Sequence, residues 1–299
     1  MKTPSLTIAI PFHKGKDFLQ RAIASVIAQN DSDWALIVCD DGPEPDVVAL
    51  VSAFAESRIS YIRADGPSGM VANWNRCLDN AQSSWVTLLH ADDELLPNYV
   101  GTMRKAAAQV PHAAGFFCHT KIIDGKGAEC FSFPDWIKGW LRPGEKAIVV
   151  RGQPGLASLL RGNYIMCPTM CYNLERLGSR RFAEGWRFAQ DLELFARLLL
   201  AGECLVGVPE TAYAYRRHDA NATVQYTANL QRFREEAALY DHLHAQALAC
   251  NWPQVARVAR RKLIIKANLL FCMLTDVAKG QFGQAGQKWR FLQGLSDAP

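Results

Sequence analysis

Three short apolar runs, each stopped at its carboxyl end by proline or by acids, constrain this chain more than any other feature. Leu6–Thr7–Ile8–Ala9–Ile10 stops at Pro11, and Trp34–Ala35–Leu36–Ile37–Val38–Cys39 stops at Asp40–Asp41. Trp85–Val86–Thr87–Leu88–Leu89 gives way to His90–Ala91–Asp92–Asp93–Glu94. Runs of this length, rich in Ile and Val and bounded by turn residues, suit strands buried on both faces of a parallel sheet. Between the first two, Asp17 to Gln29 sets Phe18, Leu19, Ala22, Ile23, Val26 and Ile27 on one helical face, with Asp17 as its cap. Ile59–Ser60–Tyr61–Ile62 reads as a further strand, Gly69 to Gln82 as a helix, and Pro97 opens another. The order β-α-β-α-β-α-β predicts an α/β fold, a doubly wound and mostly parallel sheet flanked by helices.

Such sheets bind ligands outside the carboxyl ends of their strands, so Pro11–Lys14, Asp40–Asp41 and Asp92–Asp93 converge on one edge. A single Asp-Asp pair is more often just solvated. Two pairs with the same placement point instead to a hard divalent cation, whose usual task beside a sheet edge is to neutralise a diphosphate.

The same residues carry a resemblance. Ile8–Ala9–Ile10–Pro11–Phe12–His13–Lys14, Ile37–Val38–Cys39–Asp40–Asp41–Gly42 and Leu88–Leu89–His90–Ala91–Asp92–Asp93 resemble, in order, the opening strand, the nucleotide-binding turn and the metal-binding segment of family-two glycosyltransferases of the GT-A fold. Phe182–Ala183–Glu184–Gly185 with Gln190–Asp191 resembles that family's catalytic segment, and Tyr215–Arg216–Arg217–His218 with Asn221 its closing strand. His13 and Lys14 replace the common Tyr-Asn, His90 and Gln190 each take the place of an acid, and Trp74 that of a frequent Arg.

The resemblance implies an inverting transfer from a nucleotide-diphosphate sugar to a hydroxyl of a glycan or lipid-linked glycan, in surface polysaccharide synthesis. Asp41 would accept the imide N–H of a uracil or thymine ring, which favours UDP- or dTDP-sugars. Pro11, Phe12, His13, Asn75, Arg76 and Asp92 complete the expected donor site. Asp93 is the expected first metal ligand, with His218 a further ligand or diphosphate contact; an imidazole in the set suits Mn²⁺ better than Mg²⁺. Asp191 is the expected general base, taking the acceptor proton as its oxygen attacks the anomeric carbon. It opens an amphipathic helix, Asp191–Ala201, so the competing assignment is an ordinary helix cap. Asn163, Tyr164 and Thr169 fall in the segment the family uses near the acceptor, and Phe131–Trp140 is rich in aromatic residues.

Composition narrows the alternatives. With 299 residues, 49% of them hydrophobic, the chain can bury one sizeable core plus an appended element, expected as 1–220 and 221–299. A net charge of +4 without a dense basic stripe argues against nucleic acid as a partner. Nine cysteines without a secretory signal suggest a reducing, cytoplasmic setting, and their spacing gives no paired zinc motif. No stretch has the length of a membrane span. The tail from about Asn221 reads as helical, with Pro253 opening a long helix, and is both basic and apolar. It suits packing on the core, a homodimer interface or peripheral attachment to an anionic inner membrane face. A dinucleotide oxidoreductase would need a Gly-x-Gly-x-x-Gly turn after the first strand, and none is there. The remaining rival is a catalytically silent nucleotide-sugar-binding subunit, suggested by Gln190 and His90.

Overall fold

Each apolar run becomes a strand. In the computed structural model, which describes residues 4–66, 69–132, 142, 147–218 and 222–296, β1 (Leu6–Phe12), β2 (Trp34–Asp40), β3 (Ile59–Arg63) and β4 (Trp85–Leu88) lie parallel in the order β3-β2-β1-β4. Helices α1 (Lys16–Ile27), α2 (Val47–Ser52) and α3 (Met70–Asp79) make the crossovers. Alternate strand residues serve opposite faces. Ala9, Ile37, Cys39 and Leu88 pack with Trp74, Cys77 and Leu78 of α3, whereas Ile8, Ile10, Leu36 and Val38 pack with Leu19, Ile23 and Val26 of α1. A sheet covered on both sides explains why these strands are apolar throughout.

Two local expectations are corrected. Pro11 does not end β1 but lies within it, opposite Cys39 of β2. The Ala9 carbonyl accepts the Leu89 N–H, so the missing Pro11 N–H would face the same side, beyond the last residue of β4, where no ladder bond is lost. Asp17 is not the cap of α1; Gly15 holds that position at φ 95°, and Glu44 accepts the Gly15 and Lys16 N–H groups at 3.0 and 3.3 Å. A carboxylate from the neighbouring loop thus replaces the local cap.

The second half of the sheet is mixed. β8 (Cys171–Asn173) runs antiparallel between β4 and β6 (Gly115–Ile123); β9 (Cys204–Arg216) runs parallel to β6 and takes β5 (Glu94–Leu95) and β7 (Ile148–Arg151) antiparallel. The parallel ladders hold most of the paired residues, as expected. Helix α4 (Tyr99–Gln109) follows Pro97.

The C-terminal residues form helices Ala222–Ala228, Gln231–Ala249, Pro253–Arg261, Leu263–Ala278 and Phe282–Ser296, with Pro253 at the first position of its helix. Phe233, Tyr240 and Leu243 join the core on the α3 face, and the Tyr240 hydroxyl donates to the Leu160 carbonyl at 2.7 Å. The boundary expected after residue 220, Asn221, and the aromatics Phe133, Trp136 and Trp140 lie outside the described residues. Among the described residues, no helix is long and apolar enough to cross a membrane.

Candidate active site

The β2 turn is built by its first acid and presents its second. Asp40 is fully buried: one oxygen accepts the Gly42 N–H at 2.9 Å, the other the Tyr61 hydroxyl and an Arg63 N–H, both at 2.7 Å. A Cβ on Gly42 would stand 1.7 Å from the His13 carbonyl oxygen, so only glycine lets the two loops approach this closely. Asp41 accepts the Gly69 N–H at 2.7 Å at the start of α3, and its other oxygen lies 3.2 Å from Nδ1 of His13. The His13 side chain is 61% exposed and covers an Asp41 side chain that is only 2% exposed.

Pro11 is half-buried at this edge, and the Phe12 ring lies in the core, leaving the Phe12 carbonyl as its polar contribution. That carbonyl accepts the Asp41 N–H at 3.1 Å and an Asn73 side-chain N–H at 3.2 Å. Asn73 also donates to the Cys39 carbonyl at 2.8 Å, pinning the ends of β1 and β2 together. A buried amide inside an apolar helical face was the signal for this residue, which sequence reasoning passed over.

The second cluster depends on a two-residue strand. β5 pairs Glu94 with Ala214 of β9, and continuing that antiparallel register outward sets Asp92 opposite Arg216. The fully buried Arg216 donates its backbone N–H to Asp93 at 2.7 Å, its Nε to the Asp92 carbonyl at 2.7 Å and Nη1 to the Asp124 carbonyl at 2.8 Å, and pairs with Glu94. His218, two residues on, brings Nε2 to 3.0 Å from Asp92 Oδ2 and stacks on Phe18 with ring centroids 5.2 Å apart. His90, Asp92 and Asp93 each offer a ligand atom within 4.8 Å of the others.

Within this cluster the two acids differ. Asp93 is 1% exposed, and its second oxygen accepts the Tyr213 hydroxyl at 2.9 Å. Burial, then the Asp92 charge, pushes its carboxyl well above the usual range, against the two hydrogen bonds it accepts. Burial acts upward on Asp92 too, but the His218 hydrogen bond and the flanking imidazoles bring its carboxyl below the usual value. Burial lowers the His90 imidazole, favouring the neutral form, and its Nε2 has no hydrogen-bond partner. An orphaned neutral imidazole nitrogen beside an ionised carboxylate is a donor set that fits a divalent cation.

Asp191 lies at the second position of the helix Gln190–Leu200, whose N-cap is Ala189. Its Oδ1 accepts the adjacent Leu192 N–H at 2.8 Å. The loop leading into the helix is anchored from elsewhere: one oxygen of Glu235, on the Gln231–Ala249 helix, accepts the N–H groups of Arg187, Phe188 and Ala189 at 2.7 to 3.3 Å. Asp191 itself takes one of the first-turn N–H groups, the contact the rival cap assignment expects. Burial first, then the Cys167 and Asp191 charges, pushes the Tyr172 hydroxyl well above its ordinary value. Gln190 is buried with its Oε1 unpartnered, and its Nε2 lies 3.9 Å from the Met70 sulfur, one residue from the Gly69 N–H that Asp41 holds.

A belt of rings runs from the second cluster toward Tyr172: His90 on Trp74 at 5.1 Å, Trp74 on Phe182 at 5.0 Å, Phe182 on Tyr172 at 5.9 Å. Asn75 fixes that belt, exchanging two 2.9 Å hydrogen bonds with the Phe182 backbone. Arg76 is half-buried and donates to Asn73 at 3.0 Å. On the expected acceptor side, Tyr164 is buried with its hydroxyl 2.9 Å from Ser158 Oγ, and Thr169 is buried with its hydroxyl on the Met166 carbonyl at 2.7 Å. Asn163 keeps a buried, unpartnered Oδ1.

The family model for glycosyl transferase family 2 matches residues 7–144. Over that stretch the chain is similar to a glycosyl transferase family 2 domain. That stretch contains both acid clusters, and the enzyme class expected from the sequence is borne out at family level. The chain is 25% identical over 213 residues to the putative colanic acid biosynthesis glycosyl transferase WcaA of Escherichia coli, covering 66% of this chain and 67% of that protein. It is 34% identical over 119 residues to the Campylobacter jejuni GalNAc(5)-diNAcBac-PP-undecaprenol beta-1,3-glucosyltransferase, covering 38% of each. The crystal structure of S. aureus TarS 1-349 in complex with UDP-GlcNAc superposes with a TM-score of 0.62 at 14% identity, covering 97% of this chain and 92% of that one, a likeness of fold. The share of a curated relative's length that the chain spans is 32% and 71% in two further cases.

Proposed function

We propose that this chain transfers a sugar from a nucleotide-diphosphate donor to a hydroxyl of a glycan or lipid-linked glycan, with inversion, in surface polysaccharide synthesis. The observation that carries the reading is the meeting of His218 with Asp92, 126 residues apart in sequence, at the edge where Asp41 also lies. Asp92 and His218, with His90 and Asp93 beside them, are the proposed metal seat; because Asp93 already accepts two protein hydrogen bonds, the principal ligand is taken as Asp92. A divalent cation held there, Mn²⁺ ahead of Mg²⁺, would neutralise the diphosphate leaving group.

Asp41 is the proposed partner of the base: rotation of the exposed His13 ring frees one oxygen to accept a pyrimidine imide N–H. The UDP-GlcNAc named with the TarS structure and the undecaprenol-linked acceptor in the glucosyltransferase's name lend support to a UDP-sugar and a lipid-linked acceptor. Pro11, Phe12 and His13 border the donor pocket in this reading, while Asn75 and Arg76 act behind it, through Phe182 and Asn73. Asp191 is the proposed base, on a helix whose start is held from outside by Glu235. Asn163, Tyr164 and Thr169 support the acceptor side from within the core. The division into a catalytic unit through residue 220 and a helical extension beyond it is kept as a proposal, as is a cytoplasmic, membrane-peripheral location.

The test is transfer from UDP-, dTDP- and GDP-sugars with Mn²⁺, with chelator controls. Asp191→Asn is expected to lower transfer by about 10²–10⁴-fold while donor binding by thermal shift persists. Transfer indifferent to that change, or preferring GDP-sugars, sinks the base or the Asp41 assignment respectively; donor binding with no transfer by the unaltered chain marks a silent binding subunit.

A further inference from the structure

One face of the C-terminal helices meets water although its side chains are apolar. Leu263, Ala267, Leu270, Leu274 and Val277 recur at alternating steps of four and three, which puts them on one side of the Leu263–Ala278 helix. Leu263 and Leu274 are more than 60% exposed, and Leu270, Phe271 and Val277 at least 40%. Ile265 and Leu269, on the other side, are buried in the core. Phe282 and Trp289 of the final helix are exposed as well. A helical stripe of apolar side chains this exposed marks a place of interaction.

The charge around it decides with what. From Pro253 to Ser296 the sole acid is Asp276, which is buried and paired with the buried Lys288. Arg257, Arg260, Arg261, Lys279 and Arg290 all face solvent, so every exposed charge on these three helices is positive. A second copy seated on the stripe would bring like charges together. An anionic bilayer supplies both an apolar layer for the stripe and negative headgroups for its border, with Trp289 suited to the boundary between them.

We propose that the Leu263–Val277 stripe, with Phe282 and Trp289, docks on the surface of an anionic lipid bilayer. Docking does not depend on the glycosyl-transfer reading, since lipid binding requires no turnover. It is tested by co-sedimenting the full chain with vesicles of phosphatidylcholine alone or mixed with phosphatidylglycerol, at low and high salt. Binding is expected to be roughly tenfold or more tighter on the anionic vesicles and to weaken with salt. The pair Leu270→Glu and Leu274→Glu should abolish it with thermal melting unchanged, and the triple change Arg257→Gln, Arg260→Gln, Arg261→Gln should weaken it. Absent binding, equal binding to both vesicles, or a concentration-dependent dimer dispersed by the glutamate pair would overturn the proposal.

Discussion

Adjacent carboxylates at the sheet edge have different jobs. In Asp40–Asp41 the first acid is consumed inside, by Gly42, Tyr61 and Arg63, and the second reaches toward α3. In Asp92–Asp93 the order reverses, because the turn at His90 sends Asp93 inward to Tyr213 and the Arg216 N–H and leaves Asp92 to His218. Asp92 and His218 are in contact, so their substitutions should not be additive. Asp92→Ala and His218→Ala are each expected to lower metal-dependent donor turnover by about 10–100-fold, and the double variant to be little worse than the more damaging single one. Turnover with graded Mn²⁺ measures this, and fully additive losses would separate the two side chains functionally. The repeated acid pair was legible in the sequence; which member faces inward was not, since that depends on partners more than twenty residues away.

The elements show how distant segments serve one site. β5 is two residues long and has no periodicity by which to be recognised, yet its pairing with β9 sets Asp92 beside His218. The backbone leading into the Gln190–Leu200 helix is held by Glu235, from a helix 46 to 48 residues further along. Three backbone donors on one carboxylate oxygen hold the approach to Asp191 in place. Glu235→Ala should lower stability by about 1–3 kcal/mol, the cost of leaving such donors unpaired, and should lower kcat for transfer more than donor affinity. Glu235→Gln, which keeps an acceptor oxygen, should recover part of both. A denaturant melt with a kcat-against-KM comparison reads the effect; loss of stability with kcat intact would make Glu235 structural only. Local signals could find the helix but not the carboxylate that holds its approach.

Across the whole molecule, two apolar layers sandwich the sheet, and the C-terminal helices complete one of them through Phe233, Tyr240 and Leu243. Cys118 and Cys171 lie in the opposite layer, where burial pushes both thiols up to about 12 from an ordinary 9.0. A thiol raised in the folded state binds its proton there more tightly than in the unfolded chain. Its stabilising share is complete below about pH 9 and is lost as pH rises toward 12. At pH 8 iodoacetamide should label the exposed Cys250 rapidly, and Cys118 and Cys171 only on global unfolding. Mass spectrometry along a denaturant series checks this; early labelling of Cys171 would show that β8 opens independently of the rest.

Strand period, turn residues and repeated acids are written into neighbouring positions, so the sequence by itself determined the parallel α/β core, the edge on which its acids gather and the helical tail. The tertiary structure alone decided the Asp92–His218 contact, the inward turn of Asp93, the Glu235 hold on the 187–189 backbone and the burial of Tyr164 and Thr169. Each of these joins residues far apart along the chain, and such a contact is fixed by strand register and packing, which no local pattern encodes.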